Sequence, residues 1–176
     1  MRDDRLVGMW TTEPYDYGVM ESSWLALRPD GTGWSAWANA GGATVSHLAW
    51  DCPADGEVEL RYEWWASGVW PPGNPPWLID VDEEGPDETV IRTRYSVNVE
   101  TPPLADSPLT VVHLDPDVEY SSRYALVTRE AGAWINVSAH RRPPSRQLSD
   151  CPCSALAGRP RVTSSENRGT GLADSR

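Results

Sequence analysis

An all-β protein is what this sequence predicts, with eight or nine short antiparallel strands closing as a barrel or stacking as a sandwich. Three observations carry that expectation. Apolar residues recur at every second position, the period of a strand with one dry and one wet face. Tight-turn residues punctuate the chain at short intervals. No segment sets its apolar residues on one helical face, and no internal repeat stands out.

The elements follow in order. A strand fits residues 19–28 and ends at Pro29-Asp30-Gly31-Thr32, which supplies a fixed φ, a side-chain acceptor and a position tolerant of positive φ. Residues 33–39 and 44–51 read as strands on either side of Gly41-Gly42, and Ala54-Asp55-Gly56 makes the next corner. Val58, Leu60, Tyr62 and Trp64 then alternate with Glu57, Glu59, Arg61 and Glu63, so the first four share one face. The run Trp70-Pro71-Pro72-Gly73-Asn74-Pro75-Pro76-Trp77 favours extended polyproline geometry and disfavours ladder pairing. A strand over 77–82 meets a corner at Glu83-Glu84-Gly85-Pro86. Thr89, Ile91, Thr93, Tyr95, Val97 and Val99 alternate with charged and polar neighbours, Val90 excepted. Residues 109–114, 121–129 and 133–139 complete the set.

The 176 residues suit one domain, and their charge divides them. Residues 141–176 hold seven Arg against three acids, a net +4, which leaves −15 on residues 1–140 out of a total of −11. The tail lacks aromatics and is rich in Ser, Arg, Pro and Gly, so it cannot bury enough to offset its ordering entropy. Residues 1–140 are therefore the expected β domain and 141–176 a disordered basic tail. The acidic surface repels phosphate backbones and anionic membranes, which disfavours nucleic-acid and membrane partners. No run of 18 apolar residues could form a transmembrane helix. The start, Met-Arg-Asp-Asp-Arg, leads into no apolar segment of a secretory signal, so a cytoplasmic location is expected.

Leu6-Val7-Gly8-Met9-Trp10, followed by a strand, by Leu27-Arg28-Pro29-Asp30-Gly31-Thr32-Gly33 and by Leu48-Ala49-Trp50, resembles the Gly-x-Trp segment and its sequel in small bacterial lipocalin-like (calycin) domains. The resemblance covers roughly residues 5–130. It implies a meander β-barrel closed at the end where Gly8 and Trp10 cross. It also implies that Trp10 packs beneath the barrel against a late-strand Arg, for which Arg129 is the nearest match.

Signatures of enzyme chemistry are absent. The sequence contains no Gly-x-Ser-x-Gly elbow, Walker loop, His-Glu-x-x-His or Rossmann fingerprint. Asp80-Val81-Asp82-Glu83-Glu84-Gly85 opens like an EF-hand loop, but Ile91 stands where a bidentate Glu is required, so it reads as a solvated acidic hairpin turn. His47, His113 and His140 have no ligand spacing. The three Cys (52, 151 and 153) read as free thiols rather than a disulfide framework. Neither an enzyme, a cofactor nor a metal site is expected.

Tryptophan is the unusual feature. The chain has 10 Trp and no Phe, and nine of the Trp lie at 10, 24, 34, 37, 50, 64, 65, 70 and 77. They either substitute for Phe in the core or line a pocket for a small apolar ligand. In the second reading Trp24, Trp37, Trp50, Tyr62, Trp64 and Tyr95 form the walls, and Trp70 and Trp77 carry a Pro-rich lid over one barrel mouth. A function of a different class is also open. The −15 charge suits an acidic interaction module, immunity-protein-like, that docks on a basic protein partner.

Overall fold

The structure is a computed structural model that describes residues 1–15, 20–70 and 78–131. One compact unit spans Met1–Pro143; the second, Pro144–Arg176, lies outside the described residues. The expected disordered tail, the strand over 133–139, Cys151, Cys153 and His140 also fall outside them.

Among the described residues nine strands carry the fold: β1 (Gly8–Thr11), β2 (Glu21–Leu27), β3 (Thr32–Asn39), β4 (Gly42–Asp51), β5 (Glu57–Val69), β6 (Asp80–Pro86), β7 (Val90–Glu100), β8 (Leu109–Val118) and β9 (Ser121–Thr128). Every pairing is antiparallel. The sheet runs β4-β3-β2-β1-β9-β8-β7-β5, and β5 pairs back onto β4, which closes an eight-stranded meander barrel. The only helical element among the described residues is a 3₁₀ turn at Glu13–Tyr15. Among the described residues no helix is long and apolar enough to cross a membrane.

The ninth strand does not enlarge the ring. β6 and β7 lie in line along one edge of β5: β7 pairs with residues 57–61 and β6 with residues 64–69. The acidic stretch Asp80–Pro86 is thus a strand, not the turn its Glu-Glu-Gly-Pro sequence suggests. β5 is 13 residues long and offers its upper edge as a template, and the corner falls instead at residues 87–89. There the amide of Tyr62 reaches the Thr89 carbonyl and the amide of Asp87 reaches the Glu63 carbonyl.

Alternation sorts the side chains onto two faces. The barrel interior gathers Leu6, Trp10, Leu25, Leu27, Leu48, Trp50, Val58, Leu60, Tyr62, Tyr95, Val112, Leu114 and Tyr124 from all round the ring. A second cluster coats the outside of β2–β5: Trp24, Ala26, Trp34, Ala36, Ala38, Ala43, Val45 and Ala66, packed against Leu78, Trp64 and Trp70. Ala on the outer wall leaves room for the large rings beside it.

A β-bulge decides which tryptophan goes where. His47 pairs with Trp64 and Leu48 with Tyr62, so Glu63 is an extra residue in β5. One inserted residue turns every later side chain to the opposite face. Tyr62 points inward and Trp64, expected to share its face, points outward. Trp65 turns inward in its place.

The closed end is built around β1. Trp10 is fully buried, and its indole N–H donates to the Leu6 carbonyl at 2.8 Å. The Arg129 guanidinium lies 5.5 Å from the Trp10 ring centroid and donates to the carbonyls of Arg5 and Val7. Gly8 has φ 147°, and a Cβ there would sit 2.7 Å from the Thr128 carbonyl oxygen, which is why glycine precedes the tryptophan.

Candidate functional site

The opposite end of the barrel is stopped by its own chain. The β8–β9 hairpin turns at Glu119 and Tyr120, both with positive φ (44° and 64°). This is the backbone of a type I′ turn, normally filled by Asn-Gly or Gly-Gly. Two bulky residues in the left-handed region are strained, and such strain persists only where surrounding contacts hold it. Those contacts are present. Ser23 Oγ on β2 donates to the Glu119 carbonyl at 2.8 Å, and the Tyr124 hydroxyl donates to the Val118 carbonyl. Ser35 on β3 and Tyr62 on β5 both donate to Glu119 Oε1, at 2.5 and 3.1 Å. Tyr120, 82% exposed, leans its ring on Trp37, centroids 5.7 Å apart. The hairpin tip is a plug drawn in over the core.

Between this plug and the inner wall of β4–β5 lies a solvent-open cup of about 660 Å³. Tyr62, Trp65 and Tyr120 give it aromatic surface, Thr44, Ser46 and Thr89 give hydroxyls, and Asp87, Asp117 and Glu119 give carboxylates. Burial, then the nearby Glu119 charge, pushes the Tyr62 phenol far above its ordinary range, so Tyr62 remains a donor to that carboxylate. Tyr124 behind it is raised for the same first reason, burial. Among the described residues no group of three His, Cys, Asp or Glu side chains is gathered closely enough to hold a metal ion.

The residues expected to wall one pocket are distributed over four places. Tyr62 lines the cup. Trp37 stands at its rim through Tyr120. Trp50 and Tyr95 lie in the packed interior toward the closed end: Trp50 donates its N–H to the Arg28 carbonyl at 2.9 Å, and the Tyr95 hydroxyl bonds Asp3 Oδ2 at 2.5 Å. That bond and, foremost, the Arg5 guanidinium hold the Asp3 carboxyl well below its ordinary range. Trp24 and Trp64 are not wall residues of the interior at all. Trp24 faces outward because its neighbours Ser23 and Leu25 take the inner face of β2. Trp64 faces outward because of the Glu63 bulge, with its ring 5.1 Å from that of His47.

The lid expectation changes likewise. Trp70 packs edge-on against Trp24, centroids 5.8 Å apart, and donates to the Asn39 carbonyl. Leu78 is buried in the same outer cluster. The described ends of the Pro-rich loop therefore seat on the outer wall of the barrel rather than over its mouth. Trp77 and residues 71–76 lie outside the described residues.

Comparison with protein-family models, with curated proteins and with solved structures gives no match for this chain. The barrel is thus defined by its own topology, and its site by the geometry above.

Sequence reasoning missed Glu119, Tyr120, Asp117, Asp87, Trp65, Thr44, Ser46 and Thr89. Glu-Tyr carries no turn signal, and Trp65 was on the wrong face for an unbulged strand. A further polar cluster lies on the outer surface. The Tyr15 hydroxyl and His113 Nε2 bond the two oxygens of Glu100 at 2.5 and 3.0 Å, with Arg123 stacked 4.7 Å from the Tyr15 ring centroid. His113 therefore has a carboxylate partner, and His47, on a strand not adjacent to it, contacts Trp64.

Proposed function

We propose that this domain is a binding protein of calycin-like type that holds a small molecule in the cup at the plugged end of its barrel. The observation that carries the reading is a cup within the usual 300–1,000 Å³ of ligand sites, set above an otherwise filled core. Tyr62, Trp65 and Tyr120 favour a ligand with an apolar or aromatic body. The hydroxyls and carboxylates on the same walls favour a polar group on that body, so the purely apolar ligand suggested by the tryptophan count is refined to an amphipathic one. Gly8, Trp10 and Arg129 at the closed end support the calycin-like assignment. The free, buried Cys52 suits a reducing cytoplasm.

The bulge supplies the test. Trp65 faces the cup and Trp64 faces away. Native mass spectrometry of freshly purified protein should show a retained small molecule. Truncating Trp65→Ala should weaken its binding by about 1 kcal/mol or more, while Trp64→Ala should leave affinity unchanged. Equal effects of the two variants, or a greater effect of Trp64→Ala, would remove the cup from consideration.

A second reading has its own observation. β6 exposes Asp82, Glu83 and Glu84 in a row on the most acidic part of the chain. That strip supports docking on a basic protein partner, with salt-sensitive association that charge reversal on β6 abolishes and cup variants do not.

A further inference from the structure

We propose that the polar group the cup selects is a protonated amine, with Glu119 as its counter-ion; this rests on the cup reading above and names the ligand class for it. Glu119 is half-buried against the core, and both of its side-chain donors, Ser35 and Tyr62, meet the same oxygen, Oε1. Its second oxygen has no partner among the described residues. Asp87 and Asp117 line the same cup, and none of the three carboxylates is in an ion pair within the described residues.

The cations among the described residues are committed elsewhere. The sequence has no Lys. Arg61 and Arg92 both serve Glu59, Arg94 serves Asp115, Arg5 serves Asp3 and Arg28 lies beside Asp30. Arg2 bonds the Pro29 carbonyl, Arg129 the carbonyls of Arg5 and Val7, and Arg123 stacks on Tyr15.

A partly desolvated carboxylate without an ion-pair partner among the described residues favours a cationic ligand. The shape of the site selects which cation. The carboxylates do not converge as a metal's ligands would. Thr44, Ser46 and Thr89 offer hydroxyl acceptors suited to the several N–H donors of an ammonium. The faces of Trp65 and Tyr120 attract positive charge and accept an apolar body. The strained Glu119-Tyr120 turn brings the counter-ion to the cup and a ring to its rim, in a conformation that these residue types disfavour.

Three probes of one shape and different charge separate the possibilities: phenethylamine, 2-phenylethanol and phenylacetate, titrated calorimetrically into the full chain at neutral pH. The amine should bind at least about tenfold more tightly than the alcohol, and phenylacetate least. Added salt should narrow the gap. Glu119→Gln, which keeps an acceptor for Ser35 and Tyr62, should remove most of the amine's advantage and leave the alcohol unchanged. Asp87→Asn, at the edge of the cup, should lower the amine preference in the same direction if Glu119→Gln does not fold. An alcohol that binds as well as the amine overturns the ammonium assignment while leaving the cup reading intact. Failure of all three to bind, or binding that Trp65→Ala does not weaken, overturns the cup reading itself.

Discussion

Truncating Trp10 to alanine tests the closed end of the barrel most directly. Trp10 is fully excluded from solvent. Burying an indole removes roughly 150–250 Å² from water, or about 4–6 kcal/mol at 25 cal/mol per Å². That is an upper bound, since an unfolded chain already shields part of it and alanine retains some. The variant also loses the N–H bond to the Leu6 carbonyl, about 1 kcal/mol. Arg129 loses its ring but keeps its two carbonyl acceptors, so no unpaired charge is left behind. The balance is a loss of about 4 kcal/mol, inside the 3–5 kcal/mol typical of such truncations. Trp10→Phe keeps most of the area and loses the N–H, so it should cost about 1–2 kcal/mol. Urea unfolding followed by far-ultraviolet circular dichroism reads both. A loss below about 1 kcal/mol for Trp10→Ala, or equal losses for the two variants, would falsify the packing described for this end.

Two further outcomes follow from single residues. Gly8→Ala should cost more than about 1 kcal/mol, because its φ of 147° is strained for alanine and the new Cβ would lie 2.7 Å from the Thr128 carbonyl; an unchanged urea midpoint would contradict the geometry. Burial lowers the folded-state pKa of His47 below its ordinary value of 6.5, outweighing the attraction of Glu63. The unfolded state therefore binds the proton first, so stability held above about pH 6.5 should decline as pH falls below it. His47→Gln should flatten that part of the stability–pH curve, and an unaltered curve would show that His47 does not contribute to it.

Much of the architecture was legible because period-two alternation is a local property. Val58, Leu60 and Tyr62 face inward as their spacing requires, and so do Tyr95 and Val97 on β7. The site was less legible because it depends on departures from that period. Glu63 occupies an extra position that no residue type announces, since Glu fits a regular outer face equally well. That one residue turns Trp64 away from the face its spacing suggests and brings Trp65 inward. The pocket reading makes Trp24 an inner wall, yet the outer wall of β2–β5 is itself buried and accepts Trp24 and Trp34 beside alanines. The Glu119-Tyr120 turn has no Gly or Asn to mark it, and its conformation is imposed by Ser23, Ser35 and Tyr62 from three distant strands. Asp80–Pro86 became a strand because β5 was long enough to pair with it.

The hairpin plug separates two properties that a barrel usually ties together. In an open barrel the circumference fixes both the stability of the wall and the depth of the cavity. Here the wall is closed by eight strand positions, whereas depth is set by how far the Glu119-Tyr120 tip reaches inward. Changes in a few residues of this one connection alter the volume of the cup and the charge of its lining while every rung of the surrounding ladder stays in register. The mouth is thus an exchangeable fitting on a fixed vessel.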